Sequence, residues 1–194
     1  MTRAPASPVK PCEALSNPVK LCQALLACDP AQYREVVPHD DLDIRPITPD
    51  DAGEVLTLQR AAFVQEALIY GTPHMPPLTQ TLEEITAELV ENLGCVALRG
   101  PRIVGAVRAQ QGGELLLIGR LAIAPDQQGE GIGTALLAAV EQRGKDAGAT
   151  AAELFTGSLS EANLRLYVRE GYVESQRVPG DDGIEQVFLR KRLD

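Results

Sequence analysis

The chain of 194 residues contains no tryptophan, and only 4% of its residues are aromatic. Its apolar residues form no run as long as the roughly 18 that a membrane-spanning helix requires. The segment after Met1 leads into prolines instead of the apolar stretch of a secretion signal. We therefore expect a cytoplasmic protein that does not bind membranes.

Signatures of metal binding are also missing. The four cysteines form no C-x-x-C pair, and the only two histidines, His39 and His74, provide no zinc-binding spacing. Free thiols in a reducing compartment are the expected state of the cysteines. We expect no metal cofactor.

Positive charge is scarce, with 18 basic against 27 acidic side chains and a formal net charge of −9. The charges of residues 1–40 cancel, so the whole excess belongs to residues 41–194. A domain this acidic repels nucleic acid and anionic membranes, and neither is an expected partner. It is compatible with a cationic acceptor, although many acidic proteins bind nothing cationic.

The first forty residues differ from the rest of the chain. Residues 7–15 recur in modified form as residues 17–25, and two copies are too few for a solenoid. Asn17 followed by Pro18 favours the start of a short helix. We interpret residues 1–40 as an extension that packs on the domain, packs on a second subunit or stays mobile. Residues 41–194 form the domain.

Hydrophobic periodicity in the domain predicts the order β α α β β β α β α β β. Thr81 and Glu84 have capping-box spacing at the start of the second helix, and Gly148 stands where the third helix should end. A Pro-rich break at 71–77 separates the first two helices. The expected fold is therefore a mixed α/β domain, with a mostly antiparallel sheet of about seven strands flanked by four helices. The strands are expected at 42–47, 95–98, 103–107, 114–124, 152–155, 172–178 and 184–190, the helices at 48–70, 81 onward, 132–147 and 161–170.

A glycine-rich turn joins the strand at 114–124 to the third helix. Gly129, Gly131 and Gly133 permit positive φ and let backbone N–H groups approach a ligand at the positive end of the helix. This pattern is typical of a phosphate or pyrophosphate site. A structural turn without ligand is the first alternative. A dinucleotide site is the second, favoured by Glu153 about twenty residues downstream but not by the glycine spacing. The lack of G-K-[ST] excludes a nucleoside-triphosphate loop.

Two linked motifs carry a family resemblance. Gln128-Gly-Glu-Gly-Ile-Gly133 matches Q/R-x-x-G-x-G/A, and Asn163-Leu-Arg-Leu-Tyr-Val-Arg-Glu-Gly-Tyr172 matches N-x-x-L-Y-x-x-x-G-[FY]. With the predicted elements between them, the region 42–193 resembles the Gcn5-related N-acetyltransferases (GNAT). The resemblance implies the acyl-CoA N-acyltransferase fold. It also implies transfer of an acetyl group from acetyl-CoA to an amine of a small molecule or a protein.

The resemblance also implies where coenzyme binds. In the family the strand before the loop splays from its neighbour, and pantetheine fills the gap. Backbone groups of Leu121, Ala122 and Ile123 would contact the pantetheine, and Asn163 would position its helix and the coenzyme. Glu130 stands where many relatives have a basic or neutral residue, and we expect it to point outward. The residues implied to hold the pyrophosphate are Gln128, Gly129, Gly131, Gly133 and Thr134.

The same resemblance implies catalytic roles. Tyr167 matches the tyrosine that protonates the leaving thiolate in many relatives; packing against coenzyme alone is the alternative. Glu66, near the end of the first helix, and Glu153, at the end of the strand after the third helix, are candidate general bases. Glu66, Tyr70 and His74 are candidates for contacting the acceptor, and we expect the segment 63–80 to line its pocket.

Two questions stay open at the level of the sequence. A domain of this fold that binds acetyl-CoA without catalysis, as a sensor or scaffold, is the alternative to an enzyme, and Tyr167 argues against it. The last hairpin and the N-terminal extension could each form a homodimer contact, so the number of subunits is undecided.

Overall fold

A computed structural model describes residues 42–180 and 183–194. The predicted extension at 1–40, with its repeat and helix, lies outside the described residues, as does part of the predicted turn at 179–183. No helix within the described ranges has the length and apolarity that a membrane span requires.

Seven strands form one sheet in the order β1-β2-β3-β4-β5-β7-β6. All neighbours are antiparallel except β4 and β5, which are parallel. The predicted mixed and mostly antiparallel sheet is therefore confirmed. The strands are β1 (Leu42–Pro46), β2 (Leu93–Arg99), β3 (Arg102–Gly112), β4 (Leu115–Ile123), β5 (Ala151–Gly157), β6 (Val173–Pro179) and β7 (Glu185–Arg192).

Five α-helices accompany the sheet in the described residues, one more than the four predicted. The additional helix is α2, a single turn inside the Pro-rich break, which begins with two prolines. Proline is well suited to the first turn of a helix, because its missing N–H would have no partner there. The helices are α1 (Ala52–Tyr70), α2 (Pro76–Thr79), α3 (Leu82–Glu91), α4 (Ile132–Asp146) and α5 (Glu161–Arg169).

The helix boundaries follow the predicted signals closely. The Glu84 carboxylate accepts from the Thr81 backbone N–H at 2.8 Å, and the Glu84 N–H donates to the Thr81 hydroxyl at 3.2 Å. This is the predicted capping box. Gly148, just after α4, has a φ of +96°, the left-handed conformation that ends many helices.

The two faces of the sheet carry different helices. On β3, the position of Gly105 faces Leu136 of α4, whereas Arg108 reaches Gln59 of α1 and Glu88 of α3. Because side chains three residues apart on a strand point to opposite faces, α4 covers one face while α1 and α3 cover the other. The core lies between these layers, and the stripe of α4 is fully buried. That stripe comprises Ile132, Leu136, Leu137 and Val140, each at most 1% exposed.

Strand β4 pairs with β5 over only three residues, Leu115 to Leu117 opposite Ala151 to Glu153. Beyond Leu117 the two strands separate. On its other side β4 carries a bulge, because Gly119 pairs with Arg108 and Ala122 with Ala106, which leaves two β4 residues opposite Val107. One of these two, Arg120, has a φ of +53°, the only positive φ of a non-glycine residue in the described ranges. The left-handed region costs a non-glycine residue about 1–2 kcal/mol, so this bend needs support from its surroundings.

Close packing of α4 on β4 supplies part of that support. A Cβ added to Gly144 of α4 would lie 2.5 Å from the Leu116 side chain, which is fully buried on β4. The helix can approach the strand this closely because the position carries no side chain.

We predict that Gly144→Ala destabilises the protein by about 1–3 kcal/mol, since the fully buried Leu116 cannot move aside. Urea unfolding measures the change. Gly53→Ala is the matched control, because it also replaces a helical glycine and its Cβ would meet nothing within 4 Å. That control should leave stability unchanged or raise it by up to about 1 kcal/mol. Equal behaviour of the two variants would show that the contact of α4 with β4 is looser than described.

Candidate active site

The first cavity lies where β4 has left β5 and has a volume of about 470 Å³. Its walls come from α1, the end of β4, the glycine-rich loop, the start of α4 and α5. Most of the residues predicted from the sequence to bind coenzyme share this cavity. They are Leu121, Ile123, Gln128, Gly129, Gly131, Gly133, Thr134 and Asn163.

The glycine-rich loop forms one end of the cavity. Gly129 and Gly131 have φ values of +84° and +81°, so two of the three glycines adopt the positive φ that the sequence analysis expected. Gly133 serves a different purpose: its φ is not positive, and a Cβ there would lie 3.3 Å from Leu166 of α5. No side chain caps α4, so its first N–H groups are available to a ligand. A helix start of this kind favours anions.

Two side chains in the loop region make contacts that the motif alone does not show. The Thr134 hydroxyl donates to a Glu170 carboxylate oxygen at 2.7 Å. Because that hydrogen is already used, the group that Thr134 can donate to a ligand in the cavity is its backbone N–H. Glu130 is exposed, as expected, and forms an ion pair with Arg99. That pairing offsets the negative charge beside the anion-binding end of the helix.

At the other end of the cavity β4 presents unpaired backbone. The Ala124 N–H donates to the Val104 carbonyl at 2.9 Å, so alternation along the strand directs the backbone groups of Ala122 toward β3 and those of Ile123 toward the gap. Leu121 and Ile123 line the cavity, whereas Ala122 does not and is only 3% exposed. Of the three residues implied to contact pantetheine, Ala122 is therefore the one whose backbone groups are directed toward β3, with which it pairs.

A hydrogen-bonded chain of side chains centres on Glu66. The Ser160 hydroxyl donates to one Glu66 oxygen at 2.5 Å, and the Asn163 amide donates to the other at 3.1 Å. Because Ser160 uses its hydrogen on Glu66, the Tyr70 hydroxyl, 2.6 Å away, must donate to Ser160. The chain Tyr70–Ser160–Glu66 thus holds the carboxylate in place at the cavity wall.

Ser160 is a site residue that the sequence analysis missed. It is only 3% exposed and occupies the N-cap position of α5, yet its hydroxyl makes no capping bond. A serine cap is typically worth about 1 kcal/mol to a helix, and here the hydroxyl binds Glu66 instead. Gly157 makes room for this arrangement, because a Cβ at that position would overlap the Tyr70 ring and hydroxyl.

Tyr167 is near enough to Glu66 for the charge of that carboxylate to act on it, but it is not among the residues that line either cavity. It is 7% exposed, and its ring packs edge-on against Tyr172 with centroids 6.1 Å apart. Its hydroxyl has no hydrogen-bond partner within the part of the chain that the structure describes. Burial, and secondly the charge of Glu66, raise the pKa of the Tyr167 hydroxyl well above its ordinary value. The phenol is therefore held in its protonated form.

The structure separates the other predicted acceptor and base residues. His74 is exposed between α1 and α2 and lines neither this cavity nor the second one described below. From the segment 63–80, Phe63, Gln65, Glu66 and Ile69 line the first cavity, but nothing after residue 69 does. The expectation that the segment 63–80 lines the acceptor pocket stays a prediction.

Glu153 lies near the start of β5, not at the end of the strand as predicted, because β5 extends from Ala151 to Gly157. It lines a second cavity of about 580 Å³ on the face that carries α3. Arg120 lines the second cavity while the next residue, Leu121, lines the first. Strand β4 therefore borders both cavities. In the described ranges no three or more His, Cys, Asp or Glu side chains form a group that could hold a metal ion.

This combination of a splayed parallel strand pair, a glycine-rich loop and an uncapped helix defines a class of acyl-CoA N-acyltransferase folds. The family model described as the acetyltransferase (GNAT) family matches residues 58–172, more than half of the chain. The chain belongs to the GNAT family, a family of acyltransferases, and the resemblance stated above is confirmed.

Solved structures show the same fold at low sequence identity. The PaiA N-acetyltransferase from Thermoplasma acidophilum, solved in complex with coenzyme A, is 16% identical with a TM-score of 0.67; the match covers 78% of this chain and 99% of that one. YncA, a putative acetyltransferase from Salmonella typhimurium solved with acetyl-CoA, is 15% identical with a TM-score of 0.66 over 80% and 95% of the two chains. The ribosomal-protein-S18-alanine N-acetyltransferase of Escherichia coli is 16% identical with a TM-score of 0.65 over 79% and 95%.

One curated relative also matches in sequence. The UPF0157 protein YqkA of Bacillus subtilis is 27% identical over 133 residues, which are 69% of this chain and 38% of that protein. The match thus spans well under half of the relative's length.

We predict that Tyr167 stays protonated at the pH where an exposed tyrosine ionises, about pH 10, because burial raises its pKa. The Tyr167→Phe variant should therefore develop the same tyrosinate absorbance as the unchanged protein near pH 10. Ultraviolet titration of both folded proteins measures this. A loss of absorbance in the variant would show that the hydroxyl is in contact with water.

Proposed function

We propose that this protein is an N-acetyltransferase that moves the acetyl group of acetyl-CoA to an amine. The observation that carries the proposal is that one cavity joins the gap beside β4 to the uncapped start of α4. A long cofactor with a thioester at one end and a pyrophosphate near the other requires both features in one continuous site. A turn with only a structural purpose requires neither.

The residues present fit this cofactor. The backbone N–H groups from Gln128 to Thr134 suit a pyrophosphate, because Gly129 and Gly131 leave open space for it and no side chain occupies the helix start. Leu121 and Ile123 border the gap, where the strand is unpaired and would hydrogen-bond to pantetheine. Coenzyme A and acetyl-CoA in the structures of the Thermoplasma and Salmonella proteins support the same assignment.

Bound acetyl-CoA would supply a thioester whose carbonyl carbon an amine can attack. Tyr167 then holds a proton for the sulfur that leaves, because its buried hydroxyl is protonated and free of other partners. Glu66 is placed to take the proton that the amine loses, directly or through Ser160. The fixed orientation of Glu66 favours it over Glu153, which lines the other cavity.

We predict that Gly131→Glu abolishes binding of acetyl-CoA, because the new carboxylate would stand at the helix start where the pyrophosphate belongs. Isothermal titration of the full chain measures the affinity. Gly148→Glu is the matched control: it makes the same change at the other end of the same helix. Both glycines have positive φ and open space around the Cβ position, so both variants carry a similar backbone strain.

Binding by the unchanged protein and by Gly148→Glu, with none by Gly131→Glu, supports the proposal. If the unchanged protein does not bind acetyl-CoA at millimolar concentration, the proposal fails. Binding without turnover on any amine would instead favour the sensor or scaffold.

We predict that Glu66→Gln and Tyr167→Phe each lower turnover by about 10²–10⁴-fold, the range typical of general acid–base groups. Affinity for acetyl-CoA should change little. Release of coenzyme thiol with a panel of amines measures turnover. Glu91→Gln, at the exposed end of α3, is the control and should retain full activity.

Glu153→Gln separates the two candidate bases. If it lowers turnover as strongly as expected for Glu66→Gln, while Glu66→Gln has no effect, the general base is Glu153 and the assignment of Glu66 is wrong.

A further inference from the structure

The second cavity contains a charged group that the fold itself leaves without a partner. Arg120 is partly buried and lines this cavity from β4. Its guanidinium forms no hydrogen bond and no ion pair within 4.0 Å with any residue that the structure describes. Burial lowers the pKa of Arg120, so its charge is held at some cost in solvation. Buried or half-buried arginines normally have an anionic partner.

Arg108, which lies near Arg120, does have hydrogen-bonding partners of its own. It is 2% exposed, lies 3.0 Å from Glu88 and donates a hydrogen bond to Gln59. Gln80 also donates to Glu88, at 2.7 Å. The Glu88 carboxylate is therefore already engaged, and it is the only group that raises the pKa of Arg120. Arg108 and Arg120 thus share the charge of Glu88, and no carboxylate among the described residues forms an ion pair with Arg120.

The backbone places Arg120 at a specific point. It stands in the bulge where β4 leaves β5 and adopts the positive φ already described. Its sequence neighbour Leu121 lines the coenzyme cavity. A strained residue on a strand that borders both cavities suggests a functional constraint on its position, since Arg120 lines the second cavity and the next residue, Leu121, lines the first.

The remaining walls of the second cavity are apolar and acidic. Phe155 of β5 is 60% exposed and packs on Phe188 of β7 with ring centroids 5.5 Å apart. Leu117 of β4 is 42% exposed. Glu153 lines the cavity from β5. A ligand that matches these walls has an anionic group for Arg120 and an apolar body for the phenylalanines, while its amine must reach the proposed thioester and Glu66 in the first cavity.

We propose that the second cavity is the acceptor site and that its acceptor is a free apolar α-amino acid, held through its carboxylate by Arg120. The inference rests on the proposed acetyltransferase function and names the acceptor class of that site. A planar guanidinium can bind a carboxylate through two parallel hydrogen bonds. The proposal disfavours protein amino groups, because an N-terminal residue in a chain has an amide where the free amino acid has a carboxylate.

The reaction is balanced by the groups already named. The amine nitrogen forms a bond to the acetyl carbon, the carbon–sulfur bond breaks, the amine loses a proton to Glu66, and the sulfur gains one from Tyr167. The products are an N-acetylamino acid and coenzyme A. Arg120 takes no part in the proton transfers and acts on binding.

The test compares amino acids with their amides. Leucine, methionine and phenylalanine are offered to the full chain with acetyl-CoA, each beside its carboxamide, and thiol release gives kcat/KM. The acids should exceed the amides by about 10- to 100-fold, the effect of one charge-assisted pair. Arg120→Gln should remove this difference by raising KM for the acids while leaving the amides within about twofold. Arg192→Gln, which changes an arginine whose side chain is 88% exposed, is the control.

Three results would overturn the inference. One is that acids and amides react equally in the unchanged protein. Another is that Arg120→Gln slows both to the same extent. The third is that neither reacts although acetyl-CoA binds, in which case the acetyltransferase assignment survives and the acceptor assignment does not. The titration with Gly131→Glu separates the two, because failure to bind acetyl-CoA in the unchanged protein counts against the proposed function itself.

Discussion

The short parallel pairing between β4 and β5 is the constraint on which the site depends. Three residue pairs hold the two strands together, and the bulge then bends β4 away. If pairing continued, the backbone of Ile123 would bond to β5, and the gap that separates the strands would close. Both cavities open along this edge, one toward the loop and α4, the other toward α3. A single departure from regular sheet geometry therefore creates both the proposed coenzyme site and the second cavity.

Helix α4 contacts the region where β4 bends away from β5 through both of its ends. Its N-terminus carries the glycine-rich loop, and near its C-terminus Gly144 allows the closest contact with Leu116 on the paired part of β4. The strand is thus fixed just before it bends. Across the gap, Gly133 brings the start of α4 near Leu166 of α5. Gly129 and Gly131, in the loop before the helix, permit its left-handed backbone conformation. Gly133 sets the distance of the helix from α5, and Gly144 sets its distance from β4.

Much of the fold could be predicted because its signals are local. The capping box at Thr81, the glycine after α4 and the apolar stripe of α4 each depend on a few neighbouring residues, and each appears in the structure as expected. The glycine loop was predictable for the same reason. The bulge was not, because it depends on how β3 pairs with β4, and nothing in the sequence around Arg120 marks a positive φ. The short helix α2 was missed because its prolines were interpreted as a break instead of a helix start.

The side chains around the cavities were harder to predict because they depend on contacts far apart in the chain. Ser160 stands directly before α5, and only its hydrogen bond to Glu66 on another helix shows what its hydroxyl does. Arg120 is similar, since its isolation follows from the pairing of Arg108 with Glu88. The charge of the second cavity could not be predicted from composition either. The formal net charge of the chain is −9, yet the residues that line this cavity include two arginines, Arg108 and Arg120, beside two glutamates, Glu88 and Glu153. Which charged side chains meet in one cavity depends on the strands and helices that the fold brings together, and a count over the whole chain does not contain that information.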